Sequence, residues 1–135
     1  MSRNKELSKR FTELFNSDDV AAGAAGVLAE DVVFHGATPE DIQGVDGVTA
    51  YIAGYRRAFP DARSTVEAQV EEGDMVVTRW TARGTHTGPL GEIPATGNTY
   101  ELGGVTIERI EDGRIAEVWV SKDDLGMMRQ IGVLG

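Results

Sequence analysis

Glu117-Val118-Trp119-Val120-Ser121-Lys122-Asp123-Asp124-Leu125-Gly126-Met127-Met128-Arg129-Gln130-Ile131-Gly132 reads as a β-strand that runs directly into a short helix. The junction carries a tryptophan and a carboxylate. Asp123 follows Trp119 by four residues, so strand periodicity sends both side chains from the same face. A carboxylate beside an indole on a sheet that lines a cavity is desolvated and its pKa rises. Such a group moves protons near neutral pH without a metal or an organic cofactor.

Working outward from this junction, Glu111-Asp112-Gly113-Arg114 is a hairpin signal, because Asp-Gly supplies the positive φ angles of a primed turn. It joins a strand over Asn98–Ile110 to the last strand, Ile115–Ser121. The segment from Thr87 to Gly97, rich in glycine and proline, is too long for a tight hairpin. Before it, Met75–His86 reads as a long strand, Glu72-Gly73-Asp74 as a turn, and Thr65–Val70 as a weakly alternating strand. The closing helix is expected over Asp123–Ile131, ending at Gly132.

The first half is helical. Leu7, Phe11, Leu14 and Phe15 fall on one helical stripe. Ser17 is the expected N-cap of a second, Ala- and Gly-rich segment over Val20–Leu28 that packs tightly. Asp31–Gly36 is a short strand. Val48, Tyr51, Ile52, Tyr55 and Phe59 recur at helical spacing until Pro60 stops them. Helices early and a four-strand antiparallel meander late predict an α+β fold in a single domain over residues 1–135, not a doubly wound sheet.

The chain has 135 residues and a net charge of −9, from 22 acidic and 13 basic side chains. That balance repels phosphate backbones, so nucleic acid is not an expected partner. With no cysteine, disulfides and thiolate chemistry are excluded. No apolar run reaches a membrane span and the N-terminus lacks a signal-peptide core, which predicts a cytoplasmic protein with no membrane partner. His35 and His86 stand too far apart to form a paired metal motif, so no metal is expected.

Gly84-Thr-His86-Thr-Gly88, the loop Gly91-Glu-Ile-Pro94-Ala-Thr96-Gly97, the Arg109–Ile115 hairpin and the final Glu-x-Trp-x3-Asp…Gln-x-Gly resemble the SnoaL-like polyketide (ester) cyclases. These belong to the nuclear transport factor 2-like, ketosteroid isomerase-like superfamily. The resemblance implies a curved mixed, mostly antiparallel sheet wrapped around N-terminal helices, forming a cone with an apolar pocket. It implies cofactor-independent acid/base chemistry on a small or medium apolar carbonyl compound: polyketide ester cyclisation or related aldol or isomerase chemistry. Asp123 matches the family's acid/base aspartate. Lys122 stands where relatives often carry an aromatic residue. Alternatives on the same fold are epoxide-hydrolase-like activation of water, which needs Arg79 or Arg109 beside Asp123, and a non-catalytic ligand-binding or interaction module.

Each candidate also has a structural reading. Asp123 stands where a carboxylate caps a helix, and strand parity turns Asp124 away from it as a cap only. His86 shares parity with Trp80, which directs it toward the cavity of Asp123 as the second catalytic candidate; otherwise it is a strand-end residue bonded to the loop. His35, Trp80, Trp119, Tyr51 and Tyr55 are the expected substrate-binding wall, with packing as the alternative for each. Arg79 and Arg83 point to the opposite face from Trp80. Loop 87–97 suits a rim over the pocket. Apolar groups on both sheet faces predict a homodimer.

Overall fold

The computed structural model describes residues 2–134, and helices precede sheet as the patterning requires. Helix α1, Arg3–Leu14, begins at Ser2, whose hydroxyl accepts the Lys5 N–H at 3.0 Å. Its stripe buries Phe11 and Leu14, with Leu7 and Phe15 packed alongside. Helix α2 covers only Val20–Ala24. Its cap is Asp19, which accepts the Ala22 N–H, whereas Ser17 accepts the Asp19 N–H one turn earlier. The tight packing is real: a Cβ on Gly23 would lie 2.6 Å from Leu14 Cδ2.

Strand β1, Leu28–His35, starts three residues before the expected strand, because buried Leu28 already pairs with Ile115. Strand β2, Ile42–Gln43, is a two-residue edge on Val33 and Phe34, too short to announce itself in sequence. Helix α3, Gly44–Ala58, ends at Phe59 just before Pro60. The meander then runs through β3 (Arg63–Glu72), β4 (Met75–Thr85), β5 (Thr99–Glu111) and β6 (Arg114–Lys122), and helix α4, Asp124–Gln130, closes the fold.

The sheet order is β2-β1-β6-β5-β4-β3; β1 and β6 are parallel, and every other pair is antiparallel. This is the expected α+β class. Asp112 and Gly113 take φ of 51° and 74°, the primed turn that Asp-Gly requires. Register shifts in three of the pairings, β1/β6, β3/β4 and β5/β6, add local twist and curl the sheet around α1 and α3. Gly132, at φ 87°, ends α4 in the left-handed conformation, while the Gln130 amide pairs with both backbone groups of Glu101. That pairing accounts for the Gln-x-Gly signature.

Buried side chains form two clusters. One joins α1, α2, α3 and β1 around Val32, Phe34 and Ile52; the other holds Phe59, Tyr100 and Ile131 at the α4 end. Arg56 ties the α1–α2 connection to the end of α3, donating to the carbonyls of Phe15, Ser17 and Ala62 and pairing with Asp18. Among the described residues, no helix is long and apolar enough to cross a membrane.

Candidate active site

The space between the two clusters is a cavity of about 820 Å³. That lies within the range of small-molecule sites. Its walls carry aromatic rings from several elements: Phe11 from α1 and Phe15 at its C-cap, Tyr51 and Tyr55 from α3, Trp80 from β4 and Tyr100 from β5. Pro89, Leu90 and Gly91 place the 87–97 loop on its rim. The loop is fastened there by the N–H groups of Thr87 and Gly88, both donating to the Ala58 carbonyl. Gly88 is required at that point, since a Cβ would fall 1.9 Å from the Arg57 oxygen.

The charged side chains lining this cavity are Arg57, Lys122 and Asp124. The Lys122 ammonium donates to the Asp124 carboxylate. Burial raises the Tyr51 hydroxyl above its ordinary pKa of 10.0, and the neighbouring Lys122 charge works against that rise. Deeper in, the Tyr55 and Tyr100 hydroxyls are hydrogen-bonded to each other, and burial raises Tyr55 further. An acid, a cation and a protonated phenol thus meet at one side of an apolar chamber. Such a set can take a proton from carbon and steady the oxyanion that forms.

Strand parity explains how this trio arises and corrects the expectation for Asp123. Val118 is fully buried, and Val120 and Lys122 line the cavity, so even-numbered residues of β6 face inward. Trp119 and Asp123 do share a face, but it is the outer one. Asp123 is exposed, caps α4 by accepting the Gly126 N–H at 2.8 Å, and borders a shallow outer groove with Arg79. Asp124, expected to point away, is the aspartate at the cavity's edge, its side chain 53% exposed and paired with Lys122.

Trp119 and His35 also leave the expected wall. Their rings stack at 5.3 Å on the outer face. His35 lies between Asp41 at 2.9 Å and Glu117 at 2.7 Å, and these carboxylates, Glu117 foremost, raise it above the ordinary 6.5. Glu117 is lowered in turn, by His35 first and then by Arg109. Arg109 pairs with Glu111 and Glu117 on this same face, so neither it nor Arg79 brings a guanidinium into the cavity beside an acid. The two arginines that the water-activation alternative names are thus both turned outward, and the guanidinium on the cavity lining is that of Arg57.

His86 is inward-facing and fully buried, yet it stands behind Phe59, outside the cavity lining. Its Nδ1 accepts the Thr96 N–H at 3.2 Å, and the backbone on either side pairs with Asn98 and Gly97. It anchors the base of the rim loop and does not meet Asp123. Tyr51, Tyr55 and Trp80 line the cavity where the sequence places them.

One buried acid escaped the sequence reading. Glu108 is fully buried under α1, bonded to Ser8, which also meets Thr78 at 2.6 Å. Its second oxygen, Oε1, has no partner, and burial pushes its pKa up to about 8. The signal was present: Leu102, Thr106 and Ile110 are buried at the same parity on β5.

A family model described as SnoaL-like polyketide cyclase matches residues 5–131. Aklanonic acid methyl ester cyclase DnrD of Streptomyces peucetius is 31% identical over 137 residues, covering 98% of this chain and 92% of that protein. Aklanonic acid methyl ester cyclase DauD of Streptomyces sp. strain C5 is 29% identical over 138 residues, covering 98% and 83%. Among solved structures, TsrD of Streptomyces laurentii superposes with a TM-score of 0.86 at 30% identity, covering 98% and 96% of the two chains.

Proposed function

We propose that this chain, which belongs to the SnoaL-like polyketide cyclase family and is an enzyme of that cyclase type, closes a ring on a polyketide ester held inside the cone. The observation that carries the reading is the meeting of Lys122, Asp124 and Tyr51 at one side of a largely apolar cavity. Apolar walls fold a flexible substrate so that its reacting carbons approach, which removes much of the entropic barrier to closure.

Asp124 takes a proton from a carbon flanked by carbonyls. That carbon bonds to a ketone carbon elsewhere in the same molecule, the ketone π bond opens to an alkoxide, and the proton returns to the alkoxide oxygen. Lys122 and the protonated Tyr51 donate to the developing oxyanion. The product is an isomer of the substrate, so this reaction balances without a redox partner or an added cofactor. His86 holds the rim loop; Asp123 and Trp119 stand outside the chemistry.

The companions of this reading are a small apolar carbonyl ligand, a cytoplasmic setting and a second copy covering the outer sheet face, where Val105 is 37% exposed beside half-buried Ile107 and Trp119. Incubation with a methyl-esterified polyketide chain tests the function. A ring-closed product of unchanged mass is expected, and unchanged substrate at high enzyme concentration refutes it. Sedimentation at a single-chain mass would remove the second copy.

A further inference from the structure

The cavity floor contains a fitted joint. Cross-strand register pairs Trp80 on β4 with Gly104 on β5, and Gly104 with Lys122 on β6. These three positions therefore form one row on the inner face. The Trp80 indole lies over Gly104: a Cβ there would stand 2.3 Å from Cζ2, 2.6 Å from Cη2 and 2.9 Å from Cε2. Real side chains never approach so closely, and a rigid indole cannot yield as a flexible chain end does. The Nε1–H donates to the Thr106 hydroxyl at 2.7 Å, which fixes the ring's rotation. Gly104 has ordinary strand geometry, with no positive φ to require glycine. What it supplies is the room into which Trp80 lies down.

We infer that Gly104 is a specificity-determining residue: by lacking a Cβ it seats Trp80 flat beside Lys122, and so fixes the depth of the cavity and the size of substrate admitted. A side chain at this position would lift the indole into the chamber, since the sheet backbone beneath cannot retreat. The lost depth adjoins the Lys122–Asp124 pair, where a long ligand must extend and a short one need not. Thr106 is the companion positioning residue, because its hydroxyl receives the indole N–H. The inference deepens the cyclase reading, but its test reads binding and not turnover.

Wild type, Gly104→Ala, Trp80→Leu and the double variant would be titrated calorimetrically with two probes. One is the three-ring 1,4-dihydroxyanthraquinone; the other is the single-ring 2-hydroxyacetophenone. Gly104→Ala is expected to weaken the three-ring probe by about tenfold or more, which is about 1.4 kcal/mol or more, and the single-ring probe by less than about threefold. In the Trp80→Leu background, adding Gly104→Ala should change neither probe appreciably, because the clash is with the indole. Equal weakening of both probes, a loss that persists without Trp80, or no binding of the large probe to wild type overturns the inference. Should Gly104→Ala fail to fold, Thr106→Val frees the indole without adding volume. It should weaken the three-ring probe selectively, and unchanged affinity overturns the inference. Size discrimination without ring closure would leave this inference standing and remove the cyclase reading.

Discussion

Replacing Glu108 by glutamine should stabilise the protein at neutral pH and leave it nearly unchanged in acid. The carboxyl is fully buried, bonded to Ser8 on one oxygen and unpartnered on the other. Its pKa is about 8 in the folded chain against an ordinary 4.5. The folded state therefore keeps a proton that the unfolded state releases. Stability is complete below pH 4.5, falls as pH rises toward 8, and levels off beyond. At about 1.36 kcal/mol per pH unit, the cost at pH 7 is about 3 kcal/mol, approaching about 5 kcal/mol above pH 8. Glutamine fills the same volume and has no proton to release. Urea unfolding of both proteins at pH 4, 7 and 8.5 measures the effect. The difference between them should grow by about 3 kcal/mol from pH 4 to pH 7 in favour of the variant. A difference constant across that range would refute the reasoning, because Glu108 would then titrate alike in both states.

Two further outcomes follow from the surrounding structure. Arg56→Ala strips three backbone carbonyls of their donor and should cost about 2–3 kcal/mol in urea unfolding, in contrast to an ordinary surface arginine. His35, held between Asp41 and Glu117, should titrate above 6.5 by NMR. Its stabilising effect is fully present below pH 6.5 and is lost as pH rises through the folded value, so the stability gap between wild type and His35→Ala should narrow toward pH 9.

The fold was legible because local signals agreed. The Phe11 stripe, the stop at Pro60, the Asp112-Gly113 turn and the left-handed Gly132 each act within a few residues. The site was legible only halfway. Strand parity correctly put Trp119 and Asp123 together, but nothing local says which face of a strand the helices cover. On β6 the ambiguity is acute, since Val118 and Val120 offer one apolar face and Trp119 the other. The register shift opposite Arg109–Ile110 compounds it, letting Ile115 and Val118 both be buried despite opposite parity. His86 shows the same limit: its inward direction was readable, but Phe59, the residue that stands between it and the cavity, comes from the end of α3, some thirty residues earlier. Glu108 was readable and overlooked, because an acid among inward positions looks like an exception to the pattern until its Ser8 partner is seen.

The most direct test compares two neighbouring carboxylates. Ring-closure rates on a polyketide ester would be measured for Asp124→Asn and Asp123→Ala under saturating substrate. Asp124→Asn should lower the rate by about 10²–10⁴-fold, the usual worth of a positioned acid/base group. Asp123→Ala should keep near-normal turnover with only the stability loss of a missing helix cap, about 1 kcal/mol. The reverse pattern, with Asp123 essential and Asp124 dispensable, would contradict the role given to Asp124.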